Sequence, residues 1–94
     1  MWIKIQSLDG AVRRRRYRLW TSEGVDVTCS RGALISNLQK ALKGFGAYDV
    51  RDLGEIGSKV HSAYRNDPAS YVLVRREPEW GGILVERRDP DRGD

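Results

Sequence analysis

Residues 2–20 have the sequence WIKIQSLDGAVRRRRYRLW, and this pattern predicts the first two strands of an antiparallel sheet. WIKIQSL alternates between apolar and polar positions, which is typical of a strand with one buried face. Asp9-Gly10 is a hairpin signal, because glycine accepts the backbone angles of a tight turn. The returning segment contains five arginines but ends in YRLW, which gives it apolar surface to bury. We therefore expect a folded strand there rather than a disordered tail.

The length of the turn determines which side chains share a face, because residues paired across antiparallel strands point to the same side. A two-residue turn would pair Leu8 with Ala11 and divide the apolar residues between both faces. A three-residue loop pairs Ser7 with Ala11 and groups the apolar residues better, so it is the register that we predict. Its apolar face holds Ile3, Ile5, Arg13, Arg15, Tyr17 and Leu19, with the two arginines at the free end of the hairpin. Its other face holds Trp2, Lys4, Gln6, Arg14, Arg16, Arg18 and Trp20.

Beyond this hairpin, the hydrophobic period predicts a short strand followed by two helices. VDVTC alternates over residues 25–29, as a third strand would. Apolar residues then recur at helical spacing, with Ser30 as the starting cap and Gly44 or Gly46 at the end. A second helix fits the apolar residues between Leu53 and Tyr64.

The second helix and the final strands have signals of their own. Asp52 followed by Glu55 is a capping box in which Asp52 is the cap, and Asn66-Asp67-Pro68 ends the helix. YVLVRRE is apolar on both sides for four residues, which favours a central strand. EPEWGG is a turn-rich loop, and ILVERR returns as the last strand.

Together these elements predict one α+β domain over residues 1–88. The order β-β-(β)-α-α-β-β gives a mainly antiparallel sheet of four to five strands with two helices on one face. Residues 89–94 are predicted to be a frayed tail. A chain of 94 residues suits a single domain with one modest core.

The start of the chain also resembles the first hairpin of ubiquitin-like proteins. Met1, Ile3, Ile5, Leu8 and Gly10 stand where such a hairpin has them. The resemblance implies a β-grasp-like fold as an alternative, although the second helix and the late hairpin depart from the usual β-grasp order. The resemblance covers only the first ten residues, and no function is carried over from it.

The chain has a net charge of +4, and this excess lies entirely in residues 1–20. Those residues hold six basic side chains against Asp9, whereas residues 21–60 balance and residues 61–94 sum to −1. A local charge of this kind attracts polyanions even on a nearly neutral protein. The simpler alternative is that arginine stems cover apolar surface and keep an exposed strand in water.

The face that carries Trp2 and Trp20 combines aromatic rings with four cations, which is typical of surfaces that bind phosphates and stack on bases. The first hypothesis is therefore a small, non-enzymatic protein that binds DNA or RNA through its N-terminal hairpin. Its predicted binding residues are Trp2, Lys4, Arg14, Arg16, Arg18 and Trp20.

The alternative hypothesis is a protein-binding module, for example an inhibitor or adaptor of the type that phages and mobile elements encode. Trp80 in the Gly-rich loop EPEWGG is its candidate contact, because tryptophans are enriched in interfaces. The basic face would then meet an acidic protein surface. A homodimer through the edge of the first hairpin is a further option.

The remaining candidate residues are better explained by structural roles than by catalysis. His61 and Glu55 are the pair that a small nuclease would need, but a surface histidine on a helix is the simpler interpretation. Cys29 alternates with Val25 and Val27, so we expect a buried thiol rather than a nucleophile. One cysteine and one histidine leave no clustered metal site, and no cofactor motif occurs. No apolar run reaches the ~18 residues of a transmembrane helix, so we expect a cytoplasmic protein with no membrane partner.

Overall fold

The computed structural model describes residues 1–8, 16–44, 50–67, 69–77, 79 and 82–89, with the backbone alone at Val50 and Asn66. Over these residues the chain forms five strands and two helices. They are β1 (Trp2–Ser7), β2 (Tyr17–Thr21), β3 (Asp26–Cys29), α1 (Arg31–Lys43), α2 (Val50–Asn66), β4 (Tyr71–Arg76) and β5 (Ile83–Arg88). The third strand, which the residue pattern left optional, is present.

The five strands form one sheet in the order β3-β2-β1-β4-β5, and the four neighbouring pairs are antiparallel. β1 is the middle strand: Ile3 pairs with Thr21 of β2 on one side and with Val74 of β4 on the other. The protein is therefore an α+β fold with an antiparallel sheet and two helices, as the residue pattern predicts. The second consecutive helix separates it from the β-grasp-like alternative.

Both helices pack on the same face of the sheet, here called the inner face, because alternate strand residues turn apolar side chains toward them. The strands contribute Ile3, Ile5, Leu19, Val72, Val74 and Val85 to this core. The helices contribute Leu34, Leu38 and Leu42 from α1, and Ile56, Val60 and Ala63 from α2. Cys29 joins the same core with 8% of its surface exposed, which confirms the predicted buried thiol.

The ends of the two helices agree with some of the predicted capping residues and differ from others. Ser30 caps α1, since its hydroxyl accepts a hydrogen bond from the Ala33 amide at 3.4 Å, and Gly44 follows the last residue as predicted. α2 begins at Val50, so the predicted cap Asp52 lies in the first turn instead. A carboxylate there still favours the helix, because it faces the positive end of the helix dipole.

The predicted register of the first hairpin is wrong. Ser7 pairs with Tyr17 rather than with Ala11, and β2 begins at Tyr17. The Leu8 amide donates a hydrogen bond to the Arg16 carbonyl oxygen at 2.8 Å, which extends the pairing by one step. The connection between the two strands is therefore longer than the predicted three-residue loop.

The observed register keeps charge out of the core. The predicted loop would have set Arg13 opposite Ile5 on the face that the helices cover, where an unpaired guanidinium is costly. The structure pairs Ile5 with Leu19 instead. The two registers differ by an even number of positions, so each described side chain stays on its predicted face. Residues 9–15, which include three of the arginines, lie outside the described residues.

The C-terminal boundary can be followed as far as Asp89. This residue, assigned to the frayed tail by the sequence, accepts a hydrogen bond from the Ser70 hydroxyl at 3.0 Å and lies 3.5 Å from the Arg87 guanidinium. Residues 90–94 lie outside the described residues.

Candidate functional site

The face of the sheet opposite the helices, here called the outer face, carries most of the described side chains that the sequence predicts as a binding site. Strands β1, β2 and β4 place half-buried aromatic rings and cations in the middle of this face. They are Trp2, Lys4 and Gln6 from β1, Arg18 and Trp20 from β2, and Tyr71, Leu73 and Arg75 from β4. Both helices pack on the other side, so among the described residues it is strand side chains that build this surface.

Lys4 lies at the centre of the outer face between aromatic rings. Its Nζ is 4.5 Å from the centroid of the Trp2 ring and 5.4 Å from that of Tyr71. Trp20 is the cross-strand partner of Lys4, and its ring lies 6.0 Å from that of Tyr71 at an interplanar angle of 49°. Cation–π attraction is favourable at such distances. We call Trp2, Lys4, Trp20 and Tyr71 the aromatic platform.

Arg18 extends the aromatic platform toward β3, but a carboxylate compensates its charge. Its Cζ lies 4.3 Å from the centroid of the Trp20 ring. Its guanidinium also donates two hydrogen bonds to the Asp26 carboxylate, at 3.0 and 2.8 Å. This hydrogen bonding, helped by charge attraction, lowers the pKa of Asp26 and raises the pKa of Arg18. Both groups are ionised at neutral pH, and the pair carries no net charge.

On the β5 side, one carboxylate lies between two arginines and offsets one of their two positive charges. Glu86 accepts a hydrogen bond from Arg75 at 3.2 Å and another from Arg88 at 2.7 Å. By contrast, among the described residues no carboxylate lies within ion-pair distance of Lys4. The centre of the outer face therefore keeps a positive charge that its described neighbours do not neutralise.

Four of the six predicted binding residues come together on the outer face: Trp2, Lys4, Arg18 and Trp20. Arg16 is exposed just before β2, and its guanidinium lies 3.5 Å from the Thr28 carbonyl oxygen. Arg14 lies outside the described residues, as does Trp80, the candidate protein contact.

Sequence reasoning assigns no site role to three side chains that shape this part of the outer face: Tyr71, Asp26 and Glu86. Continuous apolar character in YVLVRRE favoured a strand without distinct faces, whereas the structure buries Val72 and Val74 and leaves Tyr71 half-buried. The tyrosine, out of phase with the valines, was the signal that could have identified it. The two carboxylates enter the sequence-based prediction only as part of the net charge of a segment, and that sum does not show that Asp26 pairs with Arg18 and Glu86 with Arg75.

The two residues of the nuclease hypothesis do not converge on α2. Positions six apart lie roughly 120° apart around a helix axis. Glu55 lies 3.8 Å from the Lys59 ammonium, and His61 is exposed beside the space between the helices. Among the described residues, no three His, Cys, Asp or Glu side chains are grouped to hold a metal ion.

A groove of about 720 Å³ separates α1 from α2. Its lining is mainly apolar and includes Leu34, Leu38, Leu53, Ile56 and Val60. Arg31 and His61 also line it. The groove lies on the helical side of the sheet, so it is a surface separate from the aromatic platform.

Within the described ranges, no helix is both long enough and apolar enough to cross a membrane. Comparison of the chain with known protein families, with curated proteins and with solved structures gave no match. A fold by itself does not define an activity, so we infer the function from the side chains of the outer face.

Proposed function

We propose that the protein binds nucleic acid, DNA or RNA, through its outer face and without catalysis. The aromatic platform supports this best, because the Lys4 ammonium lies between the rings of Trp2 and Tyr71. An ammonium neutralises a phosphate, and neighbouring rings stack on bases. The two features together suit a polyanion that also carries planar bases.

The distribution of charge supports the same partner. The first twenty residues hold six basic side chains and a net charge of +5. Each phosphate contact releases condensed counterions, so affinity depends on the number of cations that can meet phosphates. Arg18 contributes less than its charge suggests, because Asp26 already binds its guanidinium. Lys4 has no such partner among the described residues.

No catalytic step is part of the proposed function, since Glu55 and His61 lie on different sides of α2. We also propose a cytoplasmic location. The free thiol of Cys29 supports it, because reducing compartments keep such thiols reduced.

Two charge-matched variants test the proposed function. Lys4→Gln removes the ammonium of the aromatic platform, and Lys40→Gln removes an exposed ammonium from α1 on the other side of the sheet. Fluorescence anisotropy with labelled oligonucleotides at several salt concentrations gives the Kd and its salt dependence. We expect Lys4→Gln to weaken binding and to reduce the slope of log K against log salt by about 0.7–0.9, the loss of one phosphate contact.

Lys40→Gln should leave both the Kd and the slope close to those of the unmodified protein. Equal effects of the two substitutions would contradict the proposed function, because binding would then follow net charge rather than the aromatic platform. No binding to single strands or duplexes at low salt would also refute it.

The second candidate partner is an acidic protein surface, as an inhibitor or adaptor would bind. Arg75 and Arg88 already bind the carboxylate of Glu86, so carboxylates are compatible with this face. Affinity purification from lysate with and without nuclease separates the two functions. A protein partner retained after nuclease treatment, and lost in Lys4→Gln, would favour the second.

A further inference from the structure

We infer that the outer face takes nucleic acid as a single strand rather than as a duplex. This inference rests on the proposed function and adds the form of the ligand. Its basis is the position of the aromatic platform within the sheet and the part of a nucleic acid that its rings can reach.

The aromatic platform lies in the interior of a wide surface. Its residues come from β1, β2 and β4, the three middle strands of the five. Neighbouring strands are about 4.8 Å apart, so the five strands span roughly 19 Å from edge to edge. The major groove of B-DNA is about 12 Å wide and accepts a helix or a two-stranded ribbon. The face of this sheet is therefore too wide to enter the major groove of B-DNA, and the aromatic platform cannot reach the base edges exposed there.

Aromatic rings on a flat surface gain stacking energy only from bases that have left the stack. In a duplex, neighbouring base pairs cover the base faces, so the platform would meet sugars and phosphates alone. In a single strand the bases can lie on the rings of Trp2, Trp20 or Tyr71 while the phosphates meet cations. Only the single strand uses both parts of the surface.

The arrangement of the platform suits the alternation of phosphate and base along a strand. A phosphate held by the Lys4 ammonium would lie near two aromatic rings, because Nζ is 4.5 Å from the centroid of the Trp2 ring and 5.4 Å from that of Tyr71. The rings of Trp20 and Tyr71 are tilted by 49°, so they do not form a closed parallel stack. Tyr71 thus becomes a base-contacting residue, contributed by a strand outside the N-terminal hairpin.

Binding of defined oligonucleotides tests the inference. Oligo-dT and oligo-rU strands of about 12 nucleotides, within the site sizes of single-strand-binding domains, are compared with a duplex of the same length at one salt concentration. We expect a single strand to bind about tenfold tighter than the duplex or better, because one stacked base is worth about 5- to 150-fold in affinity. Oligo-dT and oligo-rU differ in the base methyl group as well as in the sugar, so tighter binding of either strand than of the duplex supports the inference without identifying the sugar.

Two substitutions at one position isolate the ring. Tyr71→Leu keeps apolar bulk but removes the ring, whereas Tyr71→Phe keeps it. We expect Tyr71→Leu to weaken single-strand binding by about 5- to 150-fold and to leave duplex binding unchanged, and Tyr71→Phe to bind like the unmodified protein. Thermal unfolding checks that each variant folds. If Tyr71→Leu does not fold, Trp2→Leu removes a ring from β1 instead and is compared in the same way.

The possible failures are distinguishable. Duplex binding as tight as single-strand binding, together with no effect of Tyr71→Leu on the single strand, would overturn the inference. The proposed function would survive that result if Lys4→Gln still weakened duplex binding. Failure to bind any of the three oligonucleotides would refute the proposed function itself.

Discussion

Arg18 and Asp26 form a two-point ion pair on the outer face, with N–O distances of 3.0 and 2.8 Å. The fork of a guanidinium fits a carboxylate in the same way as it fits a phosphate. Asp26 therefore occupies the position on Arg18 that a phosphate of the ligand would take. This hydrogen bonding also lowers the pKa of Asp26, so the carboxylate keeps its charge to more acidic pH than an ordinary aspartate does.

Removing this competition should strengthen binding. We expect Asp26→Asn to raise the affinity for nucleic acid by up to about fivefold, the worth of an exposed ion pair, and to change thermal stability little at neutral pH. Glu23→Gln, in the exposed turn between β2 and β3, changes the net charge equally and is the control. Anisotropy at low salt measures both variants. Equal gains in affinity for Asp26→Asn and Glu23→Gln would show that binding follows net charge and that freeing Arg18 from Asp26 has no effect of its own.

At the level of elements, the turn between β2 and β3 determines whether Asp26 reaches Arg18. Gly24 has a φ of 93°, and its amide donates to the Thr21 carbonyl oxygen at 3.2 Å. The turn sets Asp26 opposite Trp20, which places its carboxylate diagonally beside Arg18. The backbone angle at one glycine thus supports the ion pair on the outer face.

A side chain at Gly24 should strain this turn. We expect Gly24→Ala to lower the free energy of unfolding by about 1–2 kcal/mol, because the left-handed region costs an L-residue that amount. Gly57→Ala is the control, since its Cβ would meet no atom within 4 Å in an exposed part of α2. There the substitution should raise the free energy of unfolding by about 0.5–1 kcal/mol. Urea denaturation measures the free energy of unfolding of both variants. A Gly24→Ala variant as stable as the unmodified protein would contradict the positive φ at Gly24.

Local periodicity was sufficient to predict the type of each element and the two faces of the first hairpin. It was insufficient for the register, because the choice of Leu19 as partner of Ile5 depends on what the helices cover. The residues of the site also divide into those that local periodicity predicts and those that depend on long-range pairing. Trp2 and Trp20 lie on neighbouring strands of one hairpin, and grouping the alternating apolar residues on one face puts both tryptophans on the other. Tyr71 reaches that face only through the pairing of β1 with β4, which joins distant parts of the chain.

At the scale of the whole molecule, β1 connects the aromatic platform to the core. Trp2 and Lys4 point outward from this middle strand, whereas Ile3 and Ile5 point inward and are fully buried. A ligand on the outer face therefore contacts a strand that cannot separate from the sheet without loss of the core. Binding should consequently stabilise the whole domain rather than a local segment.

A single-stranded oligonucleotide at about 100 times its Kd should raise the free energy of unfolding by about 2.7 kcal/mol if it binds only the folded chain. For a domain of this size that corresponds to an increase in Tm of roughly 10–20 °C. Differential scanning fluorimetry or calorimetry at fixed salt measures the shift. Lys4→Gln should reduce it at the same oligonucleotide concentration, and Lys40→Gln should not.

The size of this shift separates a folded site from a charged segment. The unfolded chain keeps the six basic side chains of residues 1–20, so binding by charge alone would occur in both states and would largely cancel in Tm. The aromatic platform exists only when β1, β2 and β4 lie side by side. A saturating oligonucleotide that leaves Tm unchanged would therefore assign binding to the arginine-rich sequence itself. A shift of the expected size would require the folded sheet, because the pairing of β1 with β4 brings Tyr71 to Lys4.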